Sequence, residues 1–558
     1  MAHIAAAQAV SDPGDEARTL PAGVIRFDIS ESDTRYNLRY GANGLHPLGS
    51  DLSVDTLGAL QLPVLAPVQT AVQGLVGDPT YRLTLGDMTV QSSTRVATTP
   101  ITLEFGVTHW LTVRATAPLV RTTNEVFFNP NAHLTGNVGL NPALGFAAAR
   151  DTDAALYNEF VMAGGTLGSD LVACQANPGS ASYCAGLLAQ QSAAQALIAQ
   201  SGGFASNLAR VYGAPTALPG GVVPTQNSAA QRAIVSRIAA FAAMYAHFDS
   251  LTGGPGIATV GPIGAAPVAW NDAQTIIASG LLGLSADSIQ RSTQSGIGDI
   301  DLSATLQLFD SFRGHESERV HPHGFNLRTA VTGVYRLGTG SPTDPGALLG
   351  LGAGTGSGAS AIGVHSATDV LIGPHFWASI VARLTTPMTD HLTLRIPLDA
   401  GNVYTPEFAE QAVTRTLGQL LDVEVDPHYS LTDYFGFTLH YRYLRKSADR
   451  YTGTFQLDSA ATGYGPVTLD AGLLGAGTAT TETRLGLGIT YSTVAASVRG
   501  HSRIPFDISY VHEQTATGSG DYVPRIGYDE VRLRLYIRLF GGTHAPAASP
   551  PPSDTSRP

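Results

Sequence analysis

The stretch Asp529–Phe540, DEVRLRLYIRLF, alternates without a break. Val531, Leu533, Leu535, Ile537 and Leu539 share one face; Arg532, Arg534, Tyr536 and Arg538 share the other. A β-strand turns successive side chains to opposite faces, so period two makes this segment a strand. A soluble sheet would bury the aliphatic face and wet the arginines. A transmembrane barrel would set the aliphatic face against lipid and the arginines in a polar lumen. Repetition decides between them, because the same alternation returns about a dozen times along the 558 residues. A soluble sandwich would have to cover every one of those aliphatic faces with another sheet.

The composition agrees with a barrel. Charged residues are only 14% and Lys446 is the single lysine. No run of eighteen apolar residues occurs, so no transmembrane helix is expected. Barrel strands are short and only half apolar, so that absence leaves a barrel open. A net charge of −12 argues against a nucleic-acid partner, which needs a basic surface. The N-terminal MAHIAAAQAV lacks a charged n-region, yet Ala7-Gln8-Ala9 has the form of an A-x-A cleavage site. Residues 1–20 are therefore expected to be the remnant of a targeting segment.

Alternating segments are read at Val24–Ile29, Leu83–Phe105, Trp110–Arg121, Gly296–Leu308, Phe325–Leu337, Thr368–Leu384, Leu392–Val403, Gln419–Tyr429, Phe435–Lys446, Thr481–Ala495, Ile504–Thr515 and the last strand. Three tight turns share one form, an aromatic or histidine after Thr: Val107-Thr108-His109-Trp110-Leu111, Met388-Thr389-Asp390-His391-Leu392 and Leu431-Thr432-Asp433-Tyr434-Phe435. Long connections at 33–80, 123–293, 338–366, 403–418 and 450–480 lie between them. Short turns alternating with long loops are the outer-membrane pattern, with periplasmic turns and external loops. The fold expected is an all-β, antiparallel transmembrane barrel of about twelve strands with a large, mainly helical insertion. Barrel strands 1–3 fall in 21–122, with a helical loop at 33–80, and strands 4–12 fall in 294–540. A Pro/Ser tail closes the chain at 541–558.

The insertion at 123–293 is too long and apolar for a solvated loop. Its clearest helix spans Asn227–Ser250, with Thr225 or Asn227 as N-cap and an apolar face that includes Phe241, Tyr245 and Phe248. A second is read at Asn271–Gln290, and a broken, buried helix at Val54–Val76 is cut by Pro63 and Pro67. The insertion either plugs the lumen or caps its mouth. In either place Phe241, Tyr245, Phe248 and Trp270 could form an apolar access site for a hydrophobic substrate, or an ordinary helix core. Cys174 and Cys184 fit neither a zinc site nor a redox CxxC motif, and in an oxidising compartment they are expected to form a disulfide.

The hairpin TLEFGVTHWLTV at 102–113, the strand GIGDIDL at 296–302 and the strand end LGTGSP at 337–342 resemble an outer-membrane family. That family is the one named for the meta-pathway of phenol degradation, whose members are putative transporters distantly like long-chain fatty-acid channels. The resemblance covers mainly 81–122 and 294–540. It implies passive uptake of a small hydrophobic or aromatic molecule. The last strand departs from the usual assembly signal, since Arg538 replaces an apolar residue and a tail follows Phe540. The partners expected are outer-membrane lipid, a small-molecule solute and the barrel-assembly machinery.

With aliphatic faces on lipid, the lumen should be lined by Arg114, Asp299, Asp301, Arg328, Arg336 and Arg395, and by Asp422, Glu424, Arg442, Arg484, Arg532 and Arg534. Mixed signs suit either a charged constriction or a ladder of ion pairs that fills the barrel. His315, Glu316, Glu318, His321 and His323 have metal-ligand types without a diagnostic spacing, so no metal is expected. Neither Gly500-His-Ser502 nor Gly356-Ser357-Gly358 completes a nucleophile elbow, no Walker loop occurs, and no cofactor or enzyme activity is expected. The reading is a channel; the alternative is a non-conducting structural or adhesive barrel that displays its helical cap.

Overall fold

A computed structural model describes residues 17–41, 44–213, 221–258, 260–311, 324–344, 346–347, 354–373, 375–494, 497 and 504–539. The Ala7-Gln8-Ala9 site, the 315–323 cluster, His501, Ser502, Phe540 and the 541–558 tail lie outside these residues.

Twelve strands form the main sheet: β1 (Val24–Tyr36), β2 (Met88–Thr108), β3 (Leu111–Pro130), β4 (Ile300–Asp310), β5 (Phe325–Leu337), β6 (Ala361–Ile372), β7 (Phe376–Pro387), β8 (Leu420–Ser430), β9 (Phe435–Lys446), β10 (Thr480–Ser492), β11 (Phe506–Ser519) and β12 (Gly527–Arg538). Each pairs antiparallel with its neighbours in sequence. The ring closes where β1 pairs with β12, Ile29 opposite Leu533, which leaves no edge strand. Ser292–Ile297 continues β4 above a kink at Gly298-Asp299 and pairs with the upper part of β3.

Alternation along each strand sets the two faces. Leu308, Leu487, Leu439, Ile489 and Val531 are at least half exposed, although each lies inside a regular strand. Water would not tolerate such a band, so it faces lipid. Residues between them, such as Arg442, Glu424, Arg484 and Arg532, are buried inside the ring. Aromatic rings gather at the end with the short turns: Tyr491 lies 6.0 Å from Tyr434, 5.1 Å from Phe435 and 5.9 Å from Phe506. Such a girdle marks a membrane interface. The molecule is an outer-membrane β-barrel.

The strand total matches expectation, but two segments differ. Thr368–Leu384 is not one strand: the chain reverses at Gly373, whose φ of 63° suits a residue without Cβ, and Leu371 pairs with Trp377. Leu392–Val403 is not in the barrel. Asp390–Arg395 belongs to a three-stranded sheet with Glu410–Thr416 and Arg450–Thr452, on the long-loop side. The turn form at 388–392 therefore opens that external sheet rather than a periplasmic turn. Its small core of Leu394, Ile396, Val413 and Tyr451 satisfies the apolar face that lipid would otherwise have met.

Strands β2 and β3 run 21 and 20 residues, about twice what a membrane crossing needs. Their surplus carries the helices α1 (Ala66–Val76), α2 (Ala147–Ala176), α3 (Cys184–Ala189), α4 (Gln191–Tyr212), α5 (Ala229–Thr252) and α6 (Trp270–Ala278). Pro63 and Pro67 do not cut α1; Pro67 stands in its first turn, where the missing N–H costs nothing. The N-cap of α5 is Ser228, whose Oγ accepts from Gln231 N, rather than Thr225 or Asn227. The segment after Ala278 leaves the helix, so α6 is half the length expected. The helices share one core, and its barrel members among the described residues are Met88, Val90, Val126 and Phe128 at the outer end of the β2–β3 hairpin. Cys174 and Cys184 are disulfide-bonded and tie α2 to α3.

Segments rooted across the ring meet this helical core. Tyr404, in the loop between β7 and β8, is buried in it and donates to Leu52 O at 2.5 Å. Arg395 donates to Leu284 O and Ser285 O, and Glu407 N to Gly283 O. Strands β2 and β8, which flank these loops, stand six places apart in the ring of twelve.

Candidate functional site

The lumen is built from same-face pairs two residues apart, which strand geometry turns inward together. Glu482 and Arg484 bond at 2.7 Å, and Glu530 and Arg532 at 2.9 Å. Other pairs cross strands. Arg26 and Arg114 both hold Glu104, at 2.8 and 3.0 Å. Arg534 holds Asp28 at 3.1 Å, Arg336 holds Asp301 at 2.7 Å and Arg328 holds Asp369 at 3.5 Å. The densest group spans β7 to β9. Arg442 grips Asp422 with two bonds, of 3.0 and 2.5 Å, while Arg383 reaches Asp422 at 3.2 Å and Glu424 at 2.6 Å. Charges taken from water must be paired this closely to be tolerated.

Two expected lumen residues stand elsewhere. Arg395 is in the external sheet, beside Glu410 at 3.5 Å. Asp299 sits in the kink before β4 and accepts from the backbone N of Gly340, Ser357 and Gly358, so it clamps the glycine-rich loop. Arg383, Asp369, His440, Glu513 and Glu530 are buried in the lumen without having been singled out. Glu530 shared a face with Arg532, which was signal enough. Arg383 and Asp369 were hidden by the fusion of β6 with β7.

The periplasmic end is crossed by residues 17–23. Thr19 Oγ1 donates to His109 O at 2.9 Å, Leu20 N donates to Thr112 Oγ1 at 2.9 Å, and Gln307 Nε2 donates to Ala17 O at 3.3 Å. Ala17 packs with Ala330, Ala367 and Val381, on β5 to β7 across the ring from β1. Gly106 makes the crossing feasible: a Cβ there would lie 2.2 Å from Pro21 O. Above this strap a cavity of about 110 Å³ remains, bordered by Asp28, Arg114, Arg336, Arg383, Arg442 and Arg532. Small-molecule pockets are several times larger.

The apolar access residues do not share one pocket. Phe241 packs its ring 5.1 Å from Phe204 and 5.8 Å from Phe160; Tyr245 bonds Ser201 Oγ at 2.7 Å; Phe248 is buried. Trp270 begins α6 and is half exposed. The apolar face of α5 is consumed by packing on neighbouring helices, which is its usual fate.

Asp153 on α2 is buried in the same layer. Ile263 N donates to one carboxylate oxygen at 2.9 Å and the other has no partner. Burial pushes its pKa up to about 6 against that single bond. Folding therefore favours the protonated form, and the helical layer is penalised as pH rises from the ordinary carboxylate value through 6. Asp153→Asn should stabilise this layer against urea at pH 8, by about 1–2 kcal/mol after allowance for partial solvation, and change little at pH 4. Hydrogen exchange resolved to α2 and α4 measures it.

No family model matches the chain, and no curated protein matches it. Solved structures do. An outer membrane channel from Pseudomonas putida F1 aligns at 9% identity and a TM-score of 0.38, over 94% of this chain and 99% of that one. The P. putida toluene transporter TodX aligns at 9% and 0.21, over 94% and 91%. The translocator domain of autotransporter NalP from Neisseria meningitidis aligns at 7% and 0.30, over 93% and 89%. At such scores the likeness carries no argument, and the barrel rests on its own strand pairing.

Proposed function

We propose that this protein is an outer-membrane channel for passive uptake of a small hydrophobic or aromatic molecule, held here in its closed state. What supports this reading is a lumen crossed at the periplasmic end by residues 17–23, with a helical core joined to the loop between β7 and β8 at the other end and a small cavity between. The helices, joined to the loop between β7 and β8, act as a cap over the external mouth rather than a plug. Residues 17–23 act as the periplasmic seal. The substrate class follows from the resemblance to the phenol meta-pathway family, and the charged wall is what a solute would pass once the strap moves. The reading is of a transporter, not an enzyme. Its other partner would be the barrel-assembly machinery, acting through β12.

The alternative is a non-conducting barrel that displays its cap. The ion-paired wall and small cavity favour it. Influx of a radiolabelled monoaromatic hydrocarbon into lipopolysaccharide-containing vesicles separates the two. The channel reading expects influx several-fold faster with the chain lacking residues 1–22 than with empty vesicles. Equal rates, with the barrel shown to be folded, would leave the display reading standing.

A further inference from the structure

One part of the lumen wall carries more negative charge than its arginines balance. Across β7 to β11 the buried carboxylates are those of Asp422, Glu424, Asp426, Glu482 and Glu513, and the buried guanidiniums those of Arg383, Arg442 and Arg484. Glu482 and Arg484 satisfy each other. Arg442 and Arg383 serve Asp422 and Glu424. Asp426 and Glu513 are left without an arginine bonded to them, with His440 between them.

The geometry around His440 is that of a metal-binding histidine. Its Nδ1 lies 3.0 Å from Asp426 Oδ1. Its Nε2 has no hydrogen-bond partner, although the side chain is only 8% exposed. A carboxylate on one ring nitrogen fixes the tautomer that leaves the other nitrogen free as a ligand. The carboxylate oxygens of Glu424 and Asp426 and a ring nitrogen of His440 all lie within 4.8 Å of one another. Glu513 is 2% exposed, and its Oε2 is likewise without a partner.

Glycines on β10 open the space between them. In register, His440 stands opposite Gly486, and Gly486 opposite Glu513. A Cβ on Gly486 would lie 2.6 Å from Glu513 Cγ, and one on Gly488 would lie 2.9 Å from His440 Nε2. Both side chains therefore lean over β10 from opposite sides, onto backbone that carries nothing. Buried polar atoms are seldom left unpaired, so two of them over neighbouring glycines of one strand call for a ligand.

We propose that His440 and Glu513, backed by Asp426 and Glu424, bind one divalent transition-metal ion on the inner wall of the barrel. The ion sits beside the carboxyls that have no arginine and takes Nε2 as its nitrogen ligand. Imidazole with carboxylate suits zinc, nickel or copper better than calcium or magnesium. The site does not depend on transport, so it stands or falls separately from the channel reading.

The test uses the full chain folded in detergent and stripped with a chelator. Equilibrium dialysis against Zn²⁺ at neutral pH, read by atomic emission, should give one more tightly held ion per chain for wild type than for His440→Gln. Glu513→Gln should weaken the remaining affinity roughly tenfold or more. Heat-modifiable migration on gels confirms that each variant is a folded barrel. Should a variant fail to fold, Cu²⁺ bound to the wild type must show hyperfine coupling to one imidazole nitrogen. Equal zinc retention by wild type and both folded variants overturns the proposal, as does copper held by oxygen alone. The two carboxyls would then be neutralised by protons.

Discussion

Removing residues 1–22 should turn a silent barrel into a conducting one. Eight strands enclose a space that side chains just fill, while sixteen leave an aqueous channel. Twelve lie between, so arginine and glutamate side chains alone do not close the ring, and something must cross it. Residues 17–23 make that crossing, bonding His109, Thr112 and Gln307 on one side and packing Ala17 on Ala330, Ala367 and Val381 on the other. In planar bilayers the deletion should raise mean conductance over the intact chain by roughly tenfold or more, since hydration of a confined pore sets its conductance. Gly106→Val offers an independent route to the same result. Its side chain would strike Pro21 O and Leu20 O and push the strap off β2 without shortening the chain. If both folded variants stay silent, the ion-paired wall itself is the barrier and the strap is only a terminus at rest. Deleting the helices instead should leave the strap in place and the channel largely closed, because among the described residues their core meets the barrel strands at Met88, Val90, Val126 and Phe128 alone.

How much of this was legible in the sequence varies by element. Period two exposes a face without knowledge of the partner strand, so Arg114, Arg442, Arg484 and Arg532 could be placed inward from their own segments. Twelve strands were counted, yet two errors cancelled. Gly373-Pro374-His375 is itself a turn signal, but the apolar residues on both sides, Ile372 and Phe376, let the two strands read as one. The external sheet imitates a barrel strand because any half-buried strand alternates. The strap has no period at all; its side-chain hydrogen bonds reach 90 to 290 residues away in sequence. His440 and Glu513 depended on register, since only pairing through Gly486 shows that they converge. Helix α5 was visible because its apolar stripe and caps are local. What those aromatics pack against was not, because packing is set by α2 and α4.

Arg442→Ala should be the most damaging single change in the wall. The side chain is 4% exposed and carries two bonds to Asp422. Its loss leaves Asp422 with Arg383 alone, at 3.2 Å, in a patch that is already short of positive charge. Removing one partner of a buried pair costs about 3–5 kcal/mol, much of it from the stranded partner. The urea midpoint of the detergent-folded barrel should fall accordingly, and heat-modifiable migration should be lost at lower temperature. Arg442→Met with Asp422→Leu should recover most of that loss, because the double change takes both charges away and leaves Arg383 to Glu424 at 2.6 Å. The pattern separates two uses of the same residues. If the single change destabilises and the double change restores, Arg442 and Asp422 are there to fill and hold the barrel. If neither alters stability but both alter ion selectivity in the strap-deleted channel, the pair acts as a filter on what crosses.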